Sequence, residues 1–138
     1  MSIDDILLML DERNSDEIQA EGIRLAETIT TISIFVKPAS QKIGMWTWQN
    51  CAKILYKKTD EELQPVLSRL FRWISNTTIP GAIIIAKRLH EFERNELFDR
   101  VLKYTIIEAQ KLNDDEWINE IEQLVIKGDF SDVENLLQ

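Results

Sequence analysis

Few side chains in this sequence have the chemistry for catalysis. His90 is its one histidine and Cys51 its one cysteine. A catalytic histidine needs an orienting partner and a group to deprotonate, and no motif here supplies either. With Glu91 beside it on an amphipathic helix, His90 reads as a surface or boundary residue. Cys51 would be a nucleophile only if His90 came near it. Its small neighbour Ala52 and its place on an apolar stripe point instead to packing. A single cysteine allows no intramolecular disulfide and no multi-thiolate zinc site. The clusters Asp60-Glu61-Glu62 and Asp114-Asp115-Glu116 sit at expected helix starts, where the macrodipole favours carboxylates. Neither has the alternating oxygen ligands and central glycine of a calcium loop. No glycine-rich phosphate cradle is present. The expectation is a non-enzymatic protein with no cofactor and no metal.

The unusual cluster is Met45-Trp46-Thr47-Trp48, close in sequence to Lys42 and Lys53. Helical residues two apart point in different directions, so one tryptophan can be buried while the other is not. An exposed tryptophan beside lysines has the composition of a protein-binding hot spot. Trp46, Trp48, Lys42 and Lys53 are therefore the candidate partner-binding residues. In the competing reading, Trp46 folds back over the loop at about 33–44 and pins it. Trp73 lies off the main stripe of its helix and reads as a core contact between helix pairs.

These residues need helices to position them. The chain has 138 residues, 44% hydrophobic and 29% charged, which suits one domain over 1–138. Four glycines and three prolines are too few for a turn-rich β architecture. Ser2 and Asp5 open a first helix with Ile3, Ile6, Leu7 and Leu10 on one face. Asn14 or Ser15 caps a second, in which Gly22 lies on the apolar stripe and admits a close neighbour. Ser33 to Val36 is apolar and β-branched until Pro38, and is expected to be a short extended segment. A third helix turns Trp48, Cys51, Ala52, Leu55 and Tyr56 inward and Lys53, Lys57 and Lys58 outward. Thr59 and Glu62 have capping-box spacing, and Pro65 falls early enough to be tolerated.

Pro80 fits the first position of the next helix, whose Ile84 and Ile85 are expected in the core. That helix should be the most buried of the domain. Leu97 to Ala109 and Trp117 to Val125 give two more helices, with Asn113-Asp114 as cap and Gly128 as stop. Ser131 and Glu134 suggest a last short helix through Leu136. Leu67–Phe92, Ile6–Ile29 and, more loosely, Leu97–Val125 repeat a helix–turn–helix layout. The expected fold is all-α, with antiparallel helix pairs stacked as a short HEAT-like α-solenoid. An irregular helical bundle is the alternative.

A resemblance agrees with this. Trp48-Gln49-Asn50-Cys51-Ala52-Lys53-Ile54-Leu55, Lys58 to Pro65, Leu70-Phe71-Arg72-Trp73-Ile74, Pro80-Gly81-Ala82 and Lys87-Arg88-Leu89 resemble a family of uncharacterised bacterial proteins with HEAT-like helices. The similarity covers about 33–112 and implies a helical repeat fold without a known activity. Where the family has Asp-x-Asn-Trp-Pro-Gly-Ala, this chain has Asn76 to Ala82 with Ile79 in place of the aromatic, so no binding role carries over to that turn. Small acidic helical proteins of this kind also suggest, by analogy, an immunity-type partner that neutralises a bacterial toxin.

The net charge of −8 is unevenly spread. Residues 1–31 carry −6, residues 32–58 carry +5, residues 59–112 balance, and 113–138 carry −7. Such a chain repels phosphate backbones, which disfavours nucleic acid as a partner. The longest apolar run, Ala82 to Ala86, is far shorter than the ~20 residues of a membrane span, and no leader pattern follows Met1. The expected location is cytoplasmic. The expected function is a protein–protein interaction module. A self-assembling homo-oligomer that buries Ile83–Ile85 and Trp46–Trp48 between copies is the alternative. At least three-quarters of the residues outside the loop should be helical, so a far-ultraviolet circular dichroism spectrum dominated by strand would sink the fold reading.

Overall fold

A computed structural model describes residues 1–133 of the chain. These are all-α: 64% are helical and none is in a strand. Helix α1 (Ile3–Met9) begins with a capping box in which the Ser2 hydroxyl accepts from the Asp5 N–H and Asp5 accepts from the Ser2 N–H. Ser15, rather than Asn14, caps α2 (Asp16–Ala26). The two helices pack together at Gly22, where an added Cβ would lie 2.8 Å from Met9 Cβ. That position is glycine because the helices meet backbone to backbone.

The connection that follows differs from the extended segment the sequence suggests. Ile32–Phe35 forms a 3₁₀ turn that buries Ile32 and Phe35, and Val36 and Ile43 are buried after it. With no partner strand to satisfy its backbone, the segment bonds to itself. Lys37 then takes a left-handed conformation (φ 44°) directly before Pro38. Both features are unfavourable for a side-chain-bearing residue, since a β-carbon crowds that region and a following proline disfavours α-type angles.

A 3₁₀ turn at Met45–Thr47 leads into α3 (Trp48–Tyr56). The Thr59–Glu62 capping box starts α4 (Asp60–Leu63). Pro65 falls in a tight 3₁₀ turn, Gln64–Val66, which passes straight into α5 (Leu67–Trp73). Pro80 does not begin the next helix. Gly81 (φ 85°) is the cap of α6 (Ala82–His90), and the Pro80 carbonyl instead accepts from Trp73 Nε1 at 3.0 Å. Any Cβ at Gly81 would meet Trp73 Cζ2 at 2.7 Å and the Trp48 carbonyl at 2.8 Å. Asn95 caps α7 (Glu96–Lys111), and Asp114 caps α8 (Asp115–Glu120). The last turns widen to π-helical over Ile121–Ile126 before Gly128 (φ 69°) ends the run. Ser131 to Val133 is a turn; Glu134 and Leu136 of the expected last helix lie outside the described residues.

The helices form two rows. α3 packs on α6, and α6 packs on 121–126; in the second row α5 packs on α7. Contacts between α5 and α6 and between α7 and α8 join the rows. The pair α5–α6 thus stacks on the pair α7–α8, two of the three expected echoes. The third, α1–α2, joins through α3. Helix falls short of three-quarters even outside 33–44, because the connections at 74–81 and 91–95 are long turns.

Burial places α6 at the centre, with Ala82, Ile83, Ile85, Ala86, Arg88 and Leu89 all buried. Ile84 departs from expectation: it is half-buried and faces a surface groove. A helix can enclose adjacent residues on every side only when neighbours surround it, and here one flank is open. Ile85→Ala should cost about 2–5 kcal/mol in denaturant unfolding, as for other fully buried aliphatics. Ile84→Ala should cost less than half as much, and equal losses would mean that the open flank has been misplaced.

Candidate functional site

The open flank of α6 carries a groove. It encloses about 440 Å³ between α2, α3 and α6, with Ile23, Tyr56 and Ile84 along it and Lys53, Lys57 and Lys87 at its rim. Lys53 and Lys57 lie four apart on the outer face of α3, as their spacing requires. Lys57 pairs with Glu27 at 3.0 Å, whereas Lys53 and Lys87 form no ion pair among the described residues. The Tyr56 hydroxyl donates to the Glu91 carboxylate at 2.6 Å, which fixes the ring against the groove and, with burial, raises the phenol pKa.

Ile84 is shared with a second recess of about 230 Å³ lined by Glu12, Gln49 and the turn 77–81. Its position is set by bonds: Gln49 Oε1 accepts from the Gly81 N–H at 2.8 Å, and the Glu12 N–H donates to the Trp46 carbonyl at 3.0 Å. Trp46 therefore adjoins the second recess through its carbonyl, while its side chain lines neither recess. It is 48% exposed, beside Met45 at 46%. The guanidinium of Arg13 lies 5.5 Å from its ring centroid, held there by Asp11 at 2.7 and 3.0 Å. That cation comes from the turn between α1 and α2, so sequence proximity pointed to lysines while the fold supplies an arginine.

The two candidate tryptophans thus have opposite roles. Trp46 is the half-exposed one, and among the described residues no hydrogen bond ties its ring to the loop. Trp48 pins it: its Nε1 donates to the Pro38 carbonyl at 2.8 Å, and its ring meets Trp73 edge-on at 6.4 Å. Lys53 belongs to the groove. Lys42 is exposed near Asp5, whose carboxyl is held low by the Ser2 hydroxyl above all and only slightly by Lys42. Among the described residues no hydrogen bond, ion pair or aromatic contact links Trp46, Trp48, Lys42 and Lys53 to one another.

The reactive side chains have structural duties. Cys51 is fully buried, and burial pushes its thiol up to about 12, far from the thiolate a nucleophile requires. His90 Nδ1 lies 2.8 Å from the Val125 carbonyl, which can only accept, so that nitrogen carries the proton. Its ring covers Gly128 and meets Phe130 edge-on. The imidazole therefore docks the C-terminal turn. Among the described residues no three of His, Cys, Asp and Glu converge as metal ligands.

Two polar residues that the sequence did not mark are buried. Arg88 donates to Asp60 Oδ1 at 2.6 Å and to the Lys58 carbonyl at 2.9 Å, with its guanidinium over Phe92. Burial opposes the charge on Asp60, but bonds from the Glu93 N–H and Arg88 outweigh it and hold the carboxyl below its usual range. Asn50 donates to the Leu10 carbonyl at 2.7 Å and to Gln19 at 2.9 Å, tying α3 to the α1–α2 pair. A polar residue at an inward helical position was the available signal for both.

Comparison with protein-family models, with characterised proteins and with solved structures finds no match. No described helix is long and apolar enough to cross a membrane. Trp46→Ala should leave the thermal midpoint unchanged and shift the fluorescence emission to the blue, because an exposed indole is removed. Trp48→Phe should cost about 1–3 kcal/mol by stranding the Pro38 carbonyl. The reverse order of stabilities would exchange their roles.

Proposed function

We propose that this chain is a non-enzymatic protein-interaction module built as a short HEAT-like stack, and that it docks an acidic amphipathic segment of a partner protein. The observation that carries this reading is the groove between α2, α3 and α6: apolar along its length and rimmed by three lysines, in a chain whose net charge is −8. Local charge opposite to the global charge selects partners by complementarity and speeds their encounter. Tyr56 in the groove, and Trp46 with Arg13 over its ring, belong to the residue types that dominate binding energy at interfaces. Neutralisation of a toxin is the narrower form of this reading, and it rests on the analogy with small acidic helical immunity proteins.

The probe is a synthetic Leu/Glu amphipathic peptide, compared with its Leu/Lys counterpart. The acidic peptide should bind saturably, and its affinity should fall with added salt. Lys53→Glu combined with Lys87→Glu should weaken it at least about tenfold, since both are exposed and unfolding is not expected. Equal binding of the two peptides, or no effect of the charge reversal, would end the proposal. Light scattering on the free protein checks the self-assembly alternative. A dimer abolished by Trp46→Ala would assign the Trp46 surface to a second copy of the chain.

A further inference from the structure

A second feature lies away from the groove, where the loop after α2 meets α5. Lys37, Arg69 and Arg72 all open onto one recess of about 230 Å³, with Val36 as its apolar wall. Among the described residues no carboxylate lines that recess. Lys37 is half-buried while Arg69 and Arg72 are exposed, so water screens part of their mutual repulsion, and the three still face one recess. Arg72 is partly compensated: its Nη2 lies 3.5 Å from Glu108, longer than a charge-assisted hydrogen bond. Lys37 and Arg69 form no ion pair among the described residues. The local excess is therefore about two positive charges, in a chain that is negative overall.

The backbone points the same way. Lys37 holds the left-handed conformation before a proline, a combination that glycine or asparagine would meet at lower cost. The loop is fastened around it. Trp48 holds the Pro38 carbonyl, and Ser40 Oγ accepts from the Ile43 N–H at 3.1 Å while the Ser40 N–H donates to the Ile43 carbonyl at 2.8 Å. An outlier held by its surroundings is a reason to look for function. Burial first, and then the neighbouring Arg69 and Arg72, lower the pKa of the half-buried Lys37 ammonium.

The recess does not end at the cations. Val36, Lys37 and Arg69 also line a larger cavity of about 440 Å³, whose other walls include Leu7, Ile34 and Ile43. Asp4 stands in that cavity as well. We infer that Lys37, Arg69 and Arg72 form a binding site for a phosphate monoester, with the phosphoryl group among the three cations and a compact organic body in the adjoining cavity. A phosphate monoester dianion matches the charge excess, and its oxygens suit the guanidinium fork. Asp4 accepts a hydroxyl and repels a second phosphate. A polynucleotide fits less well, because the surrounding chain of net charge −8 repels an extended polyanion.

Phenyl phosphate is the probe, titrated calorimetrically above pH 7, where the ester carries its second charge. It should bind with one-to-one saturation, and at least about tenfold more tightly than inorganic phosphate or sulfate, which lack the organic body. Arg69→Gln should weaken it at least about tenfold. Lys37→Gly separates function from folding. It should raise the melting temperature by relieving the left-handed strain, yet weaken phenyl phosphate at least about tenfold. An affinity unchanged in Lys37→Gly, or the absence of saturable binding, would overturn the site. So would equal binding of phenyl phosphate, phosphate and sulfate, which marks general anion attraction only. Tighter binding of a short single-stranded oligonucleotide would overturn it in favour of nucleic acid.

Discussion

The structure depends on how Trp73 is enclosed. Its indole is fully buried at the end of α5, and the N–H must find an acceptor there. The Pro80 carbonyl provides one, and this bond forces the chain to double back through 74–81 until Gly81 reaches the face of the ring. Only a residue without a side chain fits between Trp73, the Trp48 carbonyl and Ala52. The start of α6, the depth of α3 and the course of the loop held by Trp48 all follow from that one enclosure. Trp117 repeats the device, donating to the Phe71 carbonyl at 3.0 Å, one of the carbonyls that the end of α5 leaves without a helical partner.

Polar anchors complete what apolar burial leaves undetermined. A row of aliphatic helices can slide by one turn at small cost, because hydrophobic contact has little directionality. Asn50, bonded to Leu10 and Gln19, permits one register of α3 against α1 and α2. Arg88 does the same for α6 against the start of α4. Both surfaces proposed for binding lie beside such anchors. The groove lies between α3 and α6, and the cation recess lies where the pinned loop meets α5.

Helix identity was legible because the caps are local. Ser2, Ser15, Thr59 and Asp114 act where their spacing places them. Helix period likewise identified most of the core, including Cys51, whereas Trp73 is buried although it lies off its helix's main stripe. The loop conformation was not legible, since whether Ile32 to Val36 extends or coils depends on what lies across from it. Pro80 was misjudged for a related reason: a proline suits the first turn of a helix in general, but here a distant indole claims its carbonyl. Of the candidate residues, Lys53 lines the groove and Trp46 is half exposed elsewhere, while Arg13, Ile23 and Lys87 reach these places from other elements. Trp48 has the same composition around it as Trp46 and the opposite role. Convergence of residues far apart in sequence leaves no trace in local spacing, and the cluster of Lys37, Arg69 and Arg72 is of the same kind.

The helical rod from Asp60 to Trp73 contains a 3₁₀ interruption at Gln64–Val66, where Pro65 breaks the regular ladder. Such an interruption in a helix free at one end would be a joint. Here neither end is free. At one end Asp60 is clamped by Arg88 and the Glu93 N–H; at the other Trp73 is locked to Pro80. Both clamps reach the same neighbour, one at each end of α6. The rod and α6 therefore form a closed frame, like two parallel struts with bolted ends, in which the kink sets a curvature and permits no swing. The α1–α2 pair, α7 and the C-terminal turn held by His90 lie outside that frame, and neither clamp restrains them.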